Sequence, residues 1–310
     1  LRGNENFQTD PPLAEKPILA GLALSVVGCR FFIESHDMRT SKRSGESPWT
    51  YVLLAVILIP FLFPLFWMFL SSLKMQVENT AYPPVWIFRP TLNNYREVFI
   101  KNPFFTFTWN SLVVAAGSTG LALILGLPGA YAVARFKQTG IALAILTARM
   151  APGIAYLIPW FILFTKMKMI DTYTALILTH LIVALPLVLW VMIGFFEDVP
   201  GELIEAARID GCSNFSAFLR VAIPLVKPGI VATAILGFIF SWNNFLFSLI
   251  IAGFKTRTLP IAVYNFLSYE EINWGGLTAA ATIITLPVLI LSLFIQKHIV
   301  RGLTLGALKG

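Results

Sequence analysis

Six apolar runs separated by polar stretches set the pattern of this 310-residue chain, at residues 49–73, 111–133, 141–164, 173–196, 229–251 and 276–295. Wound as helices at about 1.5 Å per residue, each is long enough to cross a hydrocarbon core of about 30 Å. The pattern predicts an all-α integral membrane protein with six transmembrane helices. Pro60 and Pro64 predict a kink in the first span, and Gly117, Gly120, Gly126 and Gly129 let the second approach its neighbours closely. The third contains Arg149, Pro152, Gly153 and Pro159, and the fourth opens after Asp171 and Thr172, a capping signal.

Three segments lie outside this pattern. Residues 1–48 are polar apart from an apolar stretch at 18–27 that is too short to span. They read as a cytoplasmic N-terminal extension, with the natural start expected at Met38 and its basic leader Arg39, Lys42 and Arg43, or as an interfacial helix. Residues 74–107 predict a small external cap of turns and short helices. Residues 198–228 form a polar island between the fourth and fifth runs and read as helix–turn–helix. Asp198 is placed as N-cap with Pro200 in the first turn, and the helix runs to Ile209 and is broken by Asp210-Gly211. Ser213 then caps a second helix that stops at Pro224, where a backbone donor is missing. Leu203, Ala206, Ala207 and Asp210 share one small, apolar face, with Glu202 and Glu205 on an adjacent acidic one. Such a face admits the backbone of another protein.

Composition narrows the class. At 57% hydrophobic and 13% charged, the chain falls outside the soluble globular range. Its net charge of +7 comes mainly from residues between apolar runs, with no basic stripe interleaved with aromatics, so it reads as topological and implies no nucleic acid. The basic residues, among them Arg135, Lys137, Arg208 and Arg220, place both termini and the 198–228 loop in the cytoplasm. Cys29 and Cys212 are far apart and have no metal-ligand neighbours, so neither a disulfide framework nor a metal site follows. There is no phosphate loop, no His-Glu pair at metal spacing and no nucleophile elbow. The reading is therefore a non-enzyme without a cofactor of its own, whose energy source lies on another chain.

Glu205-Ala206-Ala207, followed by Asp210-Gly211, Phe218, Pro224 and Pro228, resembles the EAA loop of permease subunits in binding-protein-dependent ABC importers. Pro90, Leu92, Asn94-Tyr95 and Asn110-Ser111 are similar to the carbohydrate-uptake branch, and Val300-Arg301-Gly302-Leu303-Thr304 to the tail of its maltose-type inner permeases. Leu259-Pro260 and Trp274-Gly275 extend the resemblance, which runs from about residue 50 to the end. It implies a six-span permease domain over 49–301, with an external cap at 74–107, the EAA loop at 198–228 between spans four and five, and a cytoplasmic tail at 302–310. It also implies that the first helix of the loop couples to a separate ATPase. Glu205 would make a polar contact, Ala206 and Ala207 would allow close approach, and Asp210-Gly211 would form the turn. Cys212 stands where the family has another small residue. The implied partners are a second permease subunit, an ABC ATPase dimer that carries ATP and Mg, an external solute-binding protein and membrane lipid. The implied function is translocation of a sugar or polyol across the cytoplasmic membrane by alternating access.

Several intramembrane polar residues are candidates for the translocation pathway. Arg149 either faces a cavity beside the Pro152-Gly153 break or snorkels to the interface. Asn243 and Asn244 are expected to bond across helices or face the pathway, although the family often has an acidic residue at the second position. Thr278, Thr282 and Thr285 share a face that lines a pore or packs with its hydroxyls on the backbone. His180 reads as a satisfied packing residue rather than a proton relay. Two rival functions stand beside the main one: an ABC importer permease for another small solute, and a secondary transporter independent of any ATPase. The latter is expected to carry paired acidic or histidine residues within its spans, and the sequence has none.

Overall fold

The computed structural model describes residues 48–150, 152–267 and 272–307. The expectations for residues 1–47, including the start at Met38, lie outside the described residues. The chain divides into two compact units, Leu1–Phe61 and Leu62–Gly310. In the first, the described part is the leading half of helix α1 (Pro48–Ser72), apolar and exposed from Trp49 onward. The second unit carries the features described below.

That unit is helical, and among its described residues an isolated antiparallel bridge, Leu267 to Ile272, is the only β pairing. After α1 come two short helices, α2 (Gln76–Thr80) and α3 (Asn93–Lys101), in the region where an external cap is expected. The Asn94 amide ties α3 to the end of α1 by donating to the Ser72 and Lys74 carbonyls, both at 2.8 Å. The long helices follow. Helix α4 (Phe104–Arg135) packs along α7 (Tyr173–Glu197), with α5 (Thr139–Met150) and α6 (Gly153–Lys166) coming between them in the chain. Gly117 and Gly126 are where α4 meets Ile177 and Val188 of α7, the close approach expected of a glycine-rich span.

The polar island contributes α8 (Gly201–Ile209), α9 (Asn214–Ala217), a π turn at Phe218–Ala222 and α10 (Ile223–Leu225). The next helix, α11 (Lys227–Trp242), packs on α4, α7 and α14, and α12 (Leu246–Ile251) on α6 and α7. A short helix, α13 (Leu259–Ala262), with a 3₁₀ turn at Val263–Phe266, leads to α14 (Trp274–Ala307).

Among the described residues four helices, α1, α4, α7 and α14, are long and apolar enough to cross a membrane. A fifth joins them if Asn214–Leu225 and Lys227–Trp242, bent by 79°, count as one span. The third predicted run is divided at the Pro152-Gly153 break noted in the sequence: α5 and α6 lie on either side of Pro152, which is extended (ψ 137°) and caps α6. Proline cannot donate to the helix ladder and drives the residue before it out of helical geometry. The fifth run likewise breaks after Trp242.

Candidate functional site

The helix–turn–helix leaves the bundle at the foot of α7. Asp198 closes α7 instead of opening α8, and Pro200 takes the N-cap position of α8. Val199, preceding a proline, is disfavoured as helix, which separates the two elements there. Helix α8 ends in a Schellman motif. The Gly211 N–H donates to the Arg208 carbonyl (3.1 Å) and the Cys212 N–H to the Ala207 carbonyl (2.9 Å), with Gly211 at φ +91°. That left-handed geometry favours glycine, because a side chain there would crowd the following carbonyl. Ser213 caps α9 by accepting from the Ser216 N–H at 3.2 Å. The second helix passes the expected stop at Pro224 and ends at Leu225, with the π turn at Phe218–Ala222 just ahead of the proline.

The hairpin has one face packed and one open. Ile204 is buried and Ala207 and Cys212 are half-buried against a core formed by Val133, Met192, Phe196, Phe218 and Ala222. The Tyr131 ring lies 5.4 Å from that of Phe196 and 5.0 Å from that of Phe218, joining α4, α7 and the π turn. On the other side Leu203, Glu205, Ala206, Asp210 and Gly211 are exposed. Ile209 and, across the turn, Phe215 expose 86% and 67% of their surface, a large apolar display for a polar loop. The Glu205 carboxylate accepts from the Arg135 guanidinium on the last turn of α4 at 3.1 Å. Arg135 also lines a cavity of about 510 Å³ with Tyr131, Gln138, Phe196 and Gly201.

Among the described side chains, the intramembrane candidates each bond to backbone groups near them. Asn243 donates to the Ile239 carbonyl (3.0 Å) and Asn244 accepts from the Phe247 N–H (3.2 Å), so both amides serve backbone groups at the break between α11 and α12 instead of bonding across helices. The hydroxyls of Thr278, Thr282 and Thr285 donate to the carbonyls of Trp274, Thr278 and Ala281, the backbone-bonded arrangement. Arg149 lies on α5, and its side chain is outside the described residues. Both ring nitrogens of His180 are bonded, Nδ1 with the Ser241 hydroxyl at 2.7 Å and Nε2 with that of Ser248 at 3.3 Å.

Residues 119–305 match the family model described as binding-protein-dependent transport system inner membrane component. The chain belongs to this family. It is 34% identical over 272 residues to the sulfoquinovosyl glycerol transport system permease protein SmoH of Agrobacterium fabrum, covering 86% of this chain and 95% of that one. It is 37% identical over 257 residues to the trehalose transport system permease protein SugB of Mycobacterium tuberculosis, covering 80% and 93%. Among solved structures, a chain of a bacterial ABC transporter that imports the acidic polysaccharide alginate superposes with a TM-score of 0.67 at 21% identity, over 80% of this chain and 94% of that one. The protein is thus a multi-pass inner-membrane permease subunit, a transport component and not an enzyme.

Sequence reasoning missed three parts of this permease hairpin. In the sequence Arg135 is only a topological charge, and its partner lies 70 residues away with no local signal. Ile204, the buried anchor, falls outside the face drawn through Leu203 and Ala206. Ile209 and Phe215 look like ordinary core residues in the sequence; their position on either side of a glycine turn was the available clue.

Proposed function

We propose that this permease is one half of the membrane pathway of an ATP-driven importer for a sugar or polyol, with α8 as its coupling helix. The observation that carries the reading is the hairpin itself: a helix closed by a left-handed glycine, packed by Ile204 and open along Leu203, Ala206, Ile209 and Phe215. An ATPase cleft would receive that open face, with Glu205 and Asp210 at its polar edge. Six spans follow if α5 with α6, and α11 with α12, each count as one broken span, with the hairpin and both termini cytoplasmic and α2 and α3 in an external cap. The domain limits are 49–301 for the permease, 198–228 for the coupling loop and 302–310 for the tail. The carbohydrate assignment is supported by the trehalose and sulfoquinovosyl glycerol systems named for two relatives. A second permease, an ATPase dimer carrying ATP and Mg, and an external binding protein complete the assembly. The break at Asn243-Asn244, Arg149 and the Thr278–Thr282 face border the pathway.

The test is purification of a C-terminally tagged chain from gently solubilised native membranes, followed by identification of what co-purifies. An ATPase and a second permease are expected, with the ATPase lost on substitution of Glu205 and Gly211. A wild-type chain that emerges without an ATPase overturns the reading.

A further inference from the structure

The interrupted fifth run joins two segments that pack on different neighbours. Helix α11 sits on α4, α7 and α14, and its end is pinned by the Trp242 indole N–H, which donates to the Ile284 carbonyl at 3.1 Å. Helix α12 sits on α6 and α7, with Ile251 in a buried cluster with Val114, Phe164 and Leu176. Helix α7 therefore touches both sides of the break, and its His180 bonds to both: Ser241 lies before the break and Ser248 after it.

The network extends into α4: the Ser118 hydroxyl has Ser241 Oγ at 2.9 Å and the Ala115 carbonyl at 3.2 Å as acceptors. A neutral imidazole carries one ring proton, so one ring nitrogen of His180 donates to its serine and the other accepts from its serine. All four side chains are buried. In an apolar interior each lost partner leaves a polar group unsatisfied, so the chain of bonds favours one arrangement of the two segments over others. Asn243 and Asn244 meanwhile satisfy the free backbone groups of the break itself. The joint is therefore braced from outside and needs no continuous helix.

We infer that His180 is a positioning residue for transport: by bonding to Ser241 and Ser248 at once, it sets the angle of α12 to α11. The link to transport rests on reading this break as bordering the pathway; the geometric claim does not. Spin labels at Lys227 and Leu249, both exposed, span the joint from the start of α11 to α12. Their distance distribution is measured by pulsed EPR on the full chain in lipid nanodiscs, after Cys29→Ser and Cys212→Ser. One narrow distance is expected with His180 intact. Ser248→Ala, which cuts only the α12 side of the brace, should lose the narrow peak, and so should His180→Leu. His180→Gln, which keeps a donor and an acceptor at the end of the side chain, should recover part of it. Ser118→Ala, which shortens the network without cutting it across the break, should keep the peak. A peak unchanged in Ser248→Ala, or lost equally in Ser118→Ala, overturns the inference. No ATPase or solute takes part, so the outcome is independent of whether the coupling assignment holds.

Discussion

The two ends of α7 are held in opposite ways. At its start, Asp171 stands with φ +63° and its carboxylate accepts from the N–H groups of Gly253, Lys255 and Thr256 and from the Thr256 hydroxyl. Beside it the Asn110 amide donates to the Lys255 and Arg257 carbonyls and accepts from the Tyr173 hydroxyl, and Ser111 accepts from the Leu259 N–H. Side chains there fasten a loop by its backbone. At the other end of this 25-residue helix, about 37 Å away by helix rise, the hairpin is held by the Phe196, Tyr131 and Phe218 rings and one exposed ion pair. Backbone-directed bonds fix a loop's shape, because each has a required direction and length. Ring and methyl packing is non-directional and tolerates small displacements of a whole element. The contrast fits the proposed role of the hairpin, with the loop at 253–259 keeping its form while the hairpin moves as a unit.

The strongest way to break this contrast is at the turn. Gly211→Pro replaces a φ of +91° by one near −65° and removes the donor to Arg208, so the Schellman closure is lost. Uptake should be abolished while membrane insertion, measured by extraction and protease accessibility, is unchanged. Gly211→Ala should be milder, with strain of about 1–2 kcal/mol, and give partial uptake. Normal uptake by the proline variant would show that the hairpin does not transmit the motion.

Ile209→Ser and Phe215→Ser come next. Both side chains are exposed, so the thermal stability of the purified chain should move by about 0.5 kcal/mol or less. If the open face is the ATPase seat, each should weaken ATPase retention by about 1–2 kcal/mol or more, roughly tenfold, in a pull-down titration. Equal retention by wild type and both variants would move the seat elsewhere.

Much of the hairpin was legible because its signals are local. Ser213, Asp210-Gly211 and the run from Leu203 act within a few residues, and the structure builds caps and a turn from them. The broken spans were legible only in part. Within an all-apolar run hydropathy registers length and not continuity: Pro152-Gly153 marks the break in the third run, whereas the break at Asn243 leaves the fifth run looking whole. Helix α4 begins at Phe104, ahead of the predicted 111, because the aromatic Phe104–Trp109 stretch is helical without being part of the uniformly apolar pattern. The fastening of residues 253–259 was not legible at all. Asn110 and Asp171 act on backbone groups 82 to 147 residues away, and no spacing rule encodes such contacts.

Acidity sharpens the contrast from the other end. Burial alone would raise the Asp171 pKa, but the Thr256 hydroxyl and the N–H groups of Lys255, Thr256 and Gly253 outweigh it and hold the carboxyl below its ordinary value. The stabilisation is fully present above the unfolded pKa of about 3.9 and is lost as pH falls through the lowered folded value. Protection of the Gly253 and Thr256 amides from hydrogen exchange, corrected for intrinsic rates, should therefore persist at neutral pH and fall only in strong acid. Asp171→Ala should lose it at every pH, by about 2 kcal/mol, the scale of a bond to a charged group. Hairpin amides should be indifferent to both changes; if they follow the loop, the two ends are one cooperative unit.

The smallest effect separates the two uses of Glu205. Its ion pair with Arg135 is solvent-accessible, with 31% and 63% of the side chains exposed, so the pair contributes only about 0.2–1 kcal/mol. Arg135→Glu sets two like charges at the α4–α8 junction and should lower stability by about that amount, and Glu205→Arg should do the same. The double exchange restores an opposite pair, so hairpin stability should return nearly to wild type. ATPase retention should not return, because a cleft that accepts a carboxylate on α8 meets a guanidinium instead. Recovery of both properties would mean that Glu205 serves the internal pair alone, with docking left to the apolar face. Recovery of neither would place another partner of Arg135 in the junction, with the cavity beside Gln138 and Gly201 the place to look for it.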